Sequence, residues 1–133
     1  MRLVIPGPLP GLNEFIRAER GNKYAGNQVK KHAEAAITAC IRQQLGRQRA
    51  QPPVQLRITW VERDRRRDRD NVAFAKKFIL DALVRAGVIP DDGWEMVTGF
   101  RDAFAIDRAN PRVEGEILQE AAECGESGER MRE

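Results

Sequence analysis

The sequence predicts a small α/β domain, a mixed sheet of about four strands in the chain order β-α-β-α-β-β, with two helices packed on one face. Three observations predict it. Apolar residues recur at three- and four-residue spacing in two stretches, they alternate with polar ones in others, and 133 residues is the size of one domain around one core. The domain is expected to span residues 1–118, with 119–133 as an acidic tail.

Leu3, Val4 and Ile5 read as a short strand, stopped by the run Pro6-Gly7-Pro8-Leu9-Pro10-Gly11, whose prolines cannot donate to a sheet ladder. The chain from there to about Asn27 reads as a loop. It carries Arg17, Arg20 and Lys23 between Phe15 and Tyr24, the composition of a mobile arm for phosphates. Over 28–48, Val29, Ala33, Ala36, Ile37, Cys40, Ile41 and Leu45 form one helical stripe, with Lys30, Lys31, Arg42 and Arg47 mostly off it. Gln51-Pro52-Pro53 breaks the chain, and Val54, Leu56, Ile58 and Trp60 then alternate as a half-buried strand.

A second helical stripe follows in Val72, Ala75, Phe78, Ile79, Ala82, Leu83 and Ala86. Asp70 or Asn71 can cap its start, and Gly87 stands where a left-handed residue would end it. Two strands are expected over 94–106 and 112–118, paired as a hairpin through 107–111.

Composition narrows the chemistry. Among 133 residues there is one histidine, His32, which closes most routes to a catalytic triad or a histidine-rich metal site, and the work falls to carboxylates, lysines and arginines. Cys40 and Cys124 can build neither a disulfide framework nor a four-cysteine zinc site, which fits a reducing cytoplasm. The longest apolar runs, 72–75 and 103–106, fall far short of the roughly 20 residues that cross a bilayer. The net charge of +3 conceals an asymmetry: residues 119–133 hold five Glu against Arg130 and Arg132, which leaves +6 on the remainder. A basic body with a pI near 9.2 fits a polyanion, of which nucleic acid is the commonest.

The densest chemical feature is Arg65-Arg66-Arg67-Asp68-Arg69-Asp70-Asn71, at the end of a strand and the start of a helix. Side chains from two elements converge there, so Asp68 and Asp70 can share one hard cation such as Mg²⁺, which binds through one or two carboxylates plus substrate phosphate. Asp91 and Asp92 can return a third carboxylate after the second helix. The arginines attract phosphate and offset carboxylate repulsion before metal arrives. Other phosphate and metal motifs fail. An EF-hand starting at Asp68 would need Gly where Ala73 stands and Glu where Ile79 stands, and no glycine-rich phosphate loop of the G-x-x-x-x-G-K kind is present. The phosphatase loop Asp-x-Asp-x-Val needs an apolar strand before its first Asp, where Arg65, Arg66 and Arg67 stand instead.

The string from Asp64 through Asn71, then Lys77-Phe78-Ile79-Leu80-Asp81-Ala82-Leu83, Ala86-Gly87-Val88 and Asp91-Asp92, resembles the RusA family of Holliday-junction endonucleases. The opening Ile5-Pro6 to Asn13 is similar too, and the resemblance covers roughly residues 2–118. It implies a small α/β homodimer that cuts four-way DNA junctions with Mg²⁺. Asp68, Asp70 and Asp92 match the metal-binding catalytic aspartates, and Lys77 matches the catalytic lysine when counted back from Asp81. The family usually places that lysine four residues after the second Asp, whereas Asp70 and Lys77 are seven apart, as though three residues were inserted. On one continuous helix, seven residues keep Lys77 on nearly the same face as Asp70, with Lys76 as a solvated flank beside the apolar stripe.

The expectation is therefore a cytoplasmic, Mg²⁺-dependent junction-resolving endonuclease with catalytic Asp68, Asp70, Asp92 and Lys77. Its DNA-binding residues would be Arg17, Arg20, Lys23, Lys30, Arg65, Arg66, Arg67, Arg69 and Lys76. The rivals are a basic DNA-binding protein of the same fold that does not cut, which the displaced lysine favours, and a phosphatase for small esters, which the +6 body disfavours.

Overall fold

The structure is a computed structural model that describes residues 1–120. The elements run β1 (Arg2–Pro6), α1 (Leu12–Gly21), α2 (Lys23–Leu45), β2 (Val54–Glu62), α3 (Arg69–Ala73), α4 (Lys76–Arg85), β3 (Val97–Ile106) and β4 (Arg112–Gln119). The class is the expected one, a mixed α/β fold on a four-stranded sheet. Its spatial order is β1-β4-β2-β3.

β2 is central and carries the alternation to its conclusion, with Val54, Leu56, Ile58 and Trp60 each no more than 3% exposed. Against that face pack Ile37, Ile41 and Leu45 of α2 and Phe78, Ile79, Ala82 and Leu83 of α4, forming one core with Leu3, Ile5, Val113 and Ile117. Burial of such side chains is worth about 1.5–3 kcal/mol each relative to exposure, which is why the two stripes decide where the helices lie. Gly87 ends α4 as expected, with φ +81°. Its N–H donates to the Val84 carbonyl and that of Val88 to the Leu83 carbonyl, the paired bonds of a Schellman cap.

Three expectations are corrected. The strands β3 and β4 are not a hairpin: β3 lies parallel to β2 on one side, and β4 lies antiparallel to β2 on the other. The chain crosses the end of β2, where the Asp107 N–H donates to the Glu62 carbonyl at 2.8 Å. Arg112 then grips Asp107 at 3.0 Å, which holds that carboxyl below the usual range, and Glu114 at 2.7 Å, followed by Asp107, raises the guanidinium. A turn of this length serves a hairpin or a one-strand skip equally, so alternation alone does not separate them.

The segment after Gly11 is not a loop either, because α1 occupies most of it. Glu14 reaches back to accept from the Gly11 N–H at 2.7 Å, half of a capping box, and Phe15 packs on Phe74 and Phe78 with ring centroids 5.5 and 6.3 Å away. Arg17 and Arg20 thus sit on a docked helix. Asn22 caps α2 by accepting from the Ala25 N–H at 2.7 Å, so Lys23 and Lys30 belong to α2, which begins earlier than the stripe indicates.

The second stripe is also not one helix. It is split into α3 and α4 at Phe74 and Ala75, with a three-residue bond from the Lys77 N–H to the Phe74 carbonyl across the break. Asp68, rather than Asp70 or Asn71, is the residue that precedes α3, and its side chain makes no capping bond. Of the acidic tail, Gln119 ends β4 and the Glu120 N–H donates to the Pro53 carbonyl, while 121–133 lie outside the described residues.

Candidate active site

The arginine-rich connection between β2 and α3 is held by one of its own residues. Arg67 donates through Nε and Nη2 to both oxygens of Glu62, at 3.1 and 2.9 Å, and through Nη1 to the Leu9 carbonyl and to Glu14 at 3.0 and 3.1 Å. Its side chain is 23% exposed and that of Glu62 13%. The forked geometry of guanidinium suits a carboxylate at the end of β2, and the remaining nitrogen ties the proline-rich segment to the same point. Arg67, expected among the DNA contacts, is therefore occupied inside the fold.

The same segment closes on α3. Asn71 is buried, and its Oδ1 accepts from the Asn13 N–H at 2.9 Å. Gly11 lies so close that a Cβ there would stand 2.7 Å from both Arg67 Nη1 and Asn71 Oδ1. Glycine is needed at that position for room rather than for backbone angle.

These contacts leave Asp68, Arg69 and Asp70 exposed at the start of α3. Asp70 accepts from the Asn71 N–H at 3.0 Å, and neither Asp68 nor Asp70 has a cation within 4.0 Å among the described residues. Asp68 borders a cleft of about 550 Å³ between this loop and the end of β3, together with Arg65, Arg69, Phe104 and Ile106. Arg69 stacks over the Phe104 ring at 5.6 Å. Arg66 reaches Asp64 at 3.6 Å with 89% of its side chain in solvent, which leaves Arg63, Arg65 and Arg66 as the outward cations of the loop, with Arg69 beside them at the start of α3.

Beyond the helix break, each of the two tandem pairs is divided between fold and solvent. Lys76 turns to β3, where Nζ donates to Asp102 at 2.7 Å and sits 4.5 Å from the centroid of Phe100. Asp102 also accepts from the Trp60 indole at 2.9 Å. Lys76 is 20% exposed, so it is not the solvated flank expected of it. Lys77 turns the other way, to Asp81 at 3.2 Å and Asp92 at 3.9 Å, with 59% of its side chain in solvent. Asp91 closes its own turn by accepting from the Gly93 N–H at 2.8 Å, and the Asp92 carboxylate is left facing Lys77.

The charge state of Lys77 follows from its neighbours. The hydrogen bond that Lys77 donates to Asp81 raises its pKa, with the Asp92 and Glu34 carboxylates adding to the effect, so it is a cation and not a base at neutral pH. Glu34 is buried behind this group, and burial first, then the Asp81 carboxylate, push its own pKa up. One of its oxygens has no hydrogen-bond partner. Nothing in the sequence pattern singles out Glu34, Glu62 or Glu14. Only the Asn after the second Asp carried any signal.

The structure brings Lys77 to Asp92 and places Asp68 and Asp70 at one helix start. It does not gather the three aspartates: among the described residues no group of three or more His, Cys, Asp or Glu side chains is arranged to hold a metal ion. Asp68 and Asp70 nonetheless fit a hard divalent cation in kind, as exposed carboxylates without a competing cation, and Mg²⁺ commonly takes one or two carboxylates plus substrate phosphate.

Comparison with known families decides the class. The family model described as endodeoxyribonuclease RusA matches residues 6–117. The chain belongs to the RusA family. This makes the RusA-family protein a nuclease of the kind that resolves Holliday junctions, and the match includes α3, α4 and the Asp91-Asp92 turn. No curated protein matches the chain. No helix among the described residues is long and apolar enough to cross a membrane.

Proposed function

We propose that this RusA-family protein is a Mg²⁺-dependent endonuclease that resolves four-way DNA junctions by paired phosphodiester cleavage, as a homodimer in the cytoplasm. The observation that carries the reading is the divided pairs. Lys76 and Asp91 are bound into the fold, whereas Lys77 and Asp92 face each other 3.9 Å apart at the surface.

In this reading Asp68 and Asp70 hold the metal, and Asp92 is the third aspartate that the family pattern assigns to it. Bound there, Mg²⁺ would supply Lewis acidity and an activated water. Lys77, kept protonated by Asp81, places a cation where a phosphate oxygen or leaving oxygen needs charge stabilisation. Arg65, Arg66 and Arg69 meet the DNA backbone, and Arg17, Arg20, Lys23 and Lys30 of α1 and α2 extend the basic surface. Arg67 acts indirectly by fixing the loop. Two matched cuts need two sites, which a twofold dimer provides.

The separation of Lys77 and Asp92 from Asp68 and Asp70 favours one alternative, a junction-binding protein that does not cut. A synthetic four-way junction and a matched linear duplex, each incubated with and without Mg²⁺, separate the two. Cleavage of the junction alone, and only with metal, is expected. Tight junction binding without cleavage at any Mg²⁺ concentration would establish the alternative.

A further inference from the structure

The two edges of the sheet are finished differently. At β1 the outward N–H and carbonyl of Val4 are both taken by the Gln44 side chain of α2, at 2.8 and 2.7 Å, so an amide stands in for the next strand. At β3 no such cap exists among the described residues. The strand is ten residues long, and from Phe100 to Ile106 all but Phe104 are exposed. Phe100 and Ile106 are 47% and 49% exposed, and Trp94, just before the strand, is 96% exposed. Long apolar edges of this kind are normally blunted, and left open they mark a surface that another chain covers.

Resting on the reading of the protein as a twofold dimer, we infer that the edge of β3 is the dimer surface, with two copies of the strand pairing antiparallel about Ala103. A twofold perpendicular to the sheet keeps each residue's face, so only registers that oppose residues of like parity are allowed. Centring on Arg101 or Asp102 sets like charges directly opposite, which destabilises a ladder. Centring on Ala103 sets Phe100 opposite Ile106 of the second copy and Asp102 opposite Phe104. Arg101 then faces Ala105 and has Asp107 of the second copy as its diagonal neighbour. Asp102 brings little charge to the seam, since Lys76 and the Trp60 indole already hold it. Registers centred on Phe100 or Phe104 also avoid like charges, but the first sets Ile106 against Trp94, which lies before the strand, and the second sets Phe100 against Arg108, which lies beyond it. Of these three, only the register about Ala103 pairs the two exposed apolar residues within the strand.

Pairing here joins two sheets into one of eight strands. The cleft beside Asp68 is partly lined by Phe104, Ala105 and Ile106, so one such cleft would border the seam on each protomer. The dimer would thereby set the spacing of the two cutting sites.

The test uses the full chain with Cys40→Ser and Cys124→Ser, to which Ala103→Cys or Ala105→Cys is added. At the twofold, paired Cα atoms lie about 4.5–5.5 Å apart, inside the range a disulfide spans. Two Cys at 105 would be offset by four residues, about 13 Å along the strand. Sedimentation is expected to give twice the 15.1 kDa chain mass, with oxidation linking most of the Ala103→Cys protein and almost none of the Ala105→Cys protein. A dimer in which Ala103→Cys links no better than Ala105→Cys overturns the pairing about Ala103 while leaving the dimer intact. A monomer overturns both. Junction cleavage by the same preparations judges the nuclease reading separately, since a copy that cuts without pairing here would sink the inference alone.

Discussion

Replacing Arg67 with Ala is expected to destabilise the fold much more than replacing either Arg65 or Arg66. Four hydrogen bonds disappear, two of them a fork to Glu62, whose side chain is 13% exposed. Stranding one partner of a buried pair costs about 3–5 kcal/mol, and partial exposure of Arg67 and the solvated position of Glu14 bring the expectation to about 3 kcal/mol. For a chain of 133 residues, with an unfolding entropy of about 2.1 cal/mol/K per residue, that is a fall of about 10 °C in Tm. Calorimetry and urea unfolding measure it. Arg67→Lys should recover part of the loss, because it keeps the charge without the fork. The double variant Arg67→Met with Glu62→Met should be less destabilised than Arg67→Met alone, since no buried charge is then left unpaired. Arg67 is a DNA contact rather than a clamp if Arg67→Ala stays within about 1 kcal/mol of the parent in unfolding while it loses as much junction affinity as Arg65→Ala.

Asp70→Asn should leave junction binding intact and slow cleavage by at least about a hundredfold, the scale lost when a group stabilising transition-state charge is removed; an unchanged single-turnover rate would exclude Asp70 as a ligand. Lys77→Ala should reduce that rate by about a hundredfold at saturating Mg²⁺. Lys76→Ala should instead act mainly on stability, because its nitrogen is bonded to Asp102, so a rate loss confined to Lys76→Ala would reverse the assignment. Joint substitution of Arg65 and Arg66 by Ala should flatten the dependence of log affinity on log salt, as fewer counterions are released, and an unaltered slope would move the DNA contact to α1 and α2. Glu34 has a pKa raised in the fold above 4.5, so its favourable contribution is present below pH 4.5 and is lost as pH rises through the folded value. Glu34→Gln should therefore gain on the order of 1 kcal/mol at neutral pH and little or nothing near pH 4, and an equal gain at both would show that its charge is not the cause.

The class, the core and the family are legible along the chain. The stripes at Ile37, Ile41, Phe78 and Leu83 and the alternation at Leu56, Ile58 and Trp60 mark buried faces, because burial is a property of each residue read at the period of its element. The order of Asp68, Asp70, Asn71, Asp81 and Asp92 marks the family for a similar reason, since motif spacing is written along the chain. Tertiary contacts alone settle that β3 and β4 flank β2, that α1 is a docked helix, and which member of each repeated pair is bound into the fold. Lys76 and Lys77 are equal as residue types, as are Asp91 and Asp92, and what separates them is a partner 26 residues away for Lys76 and a turn N–H for Asp91. Arg67 is likewise one of three identical neighbours until Glu62 and Leu9 are brought to it. A side chain's partners are set by where the backbone carries distant segments, and that information is shared across the whole chain rather than held at any one position.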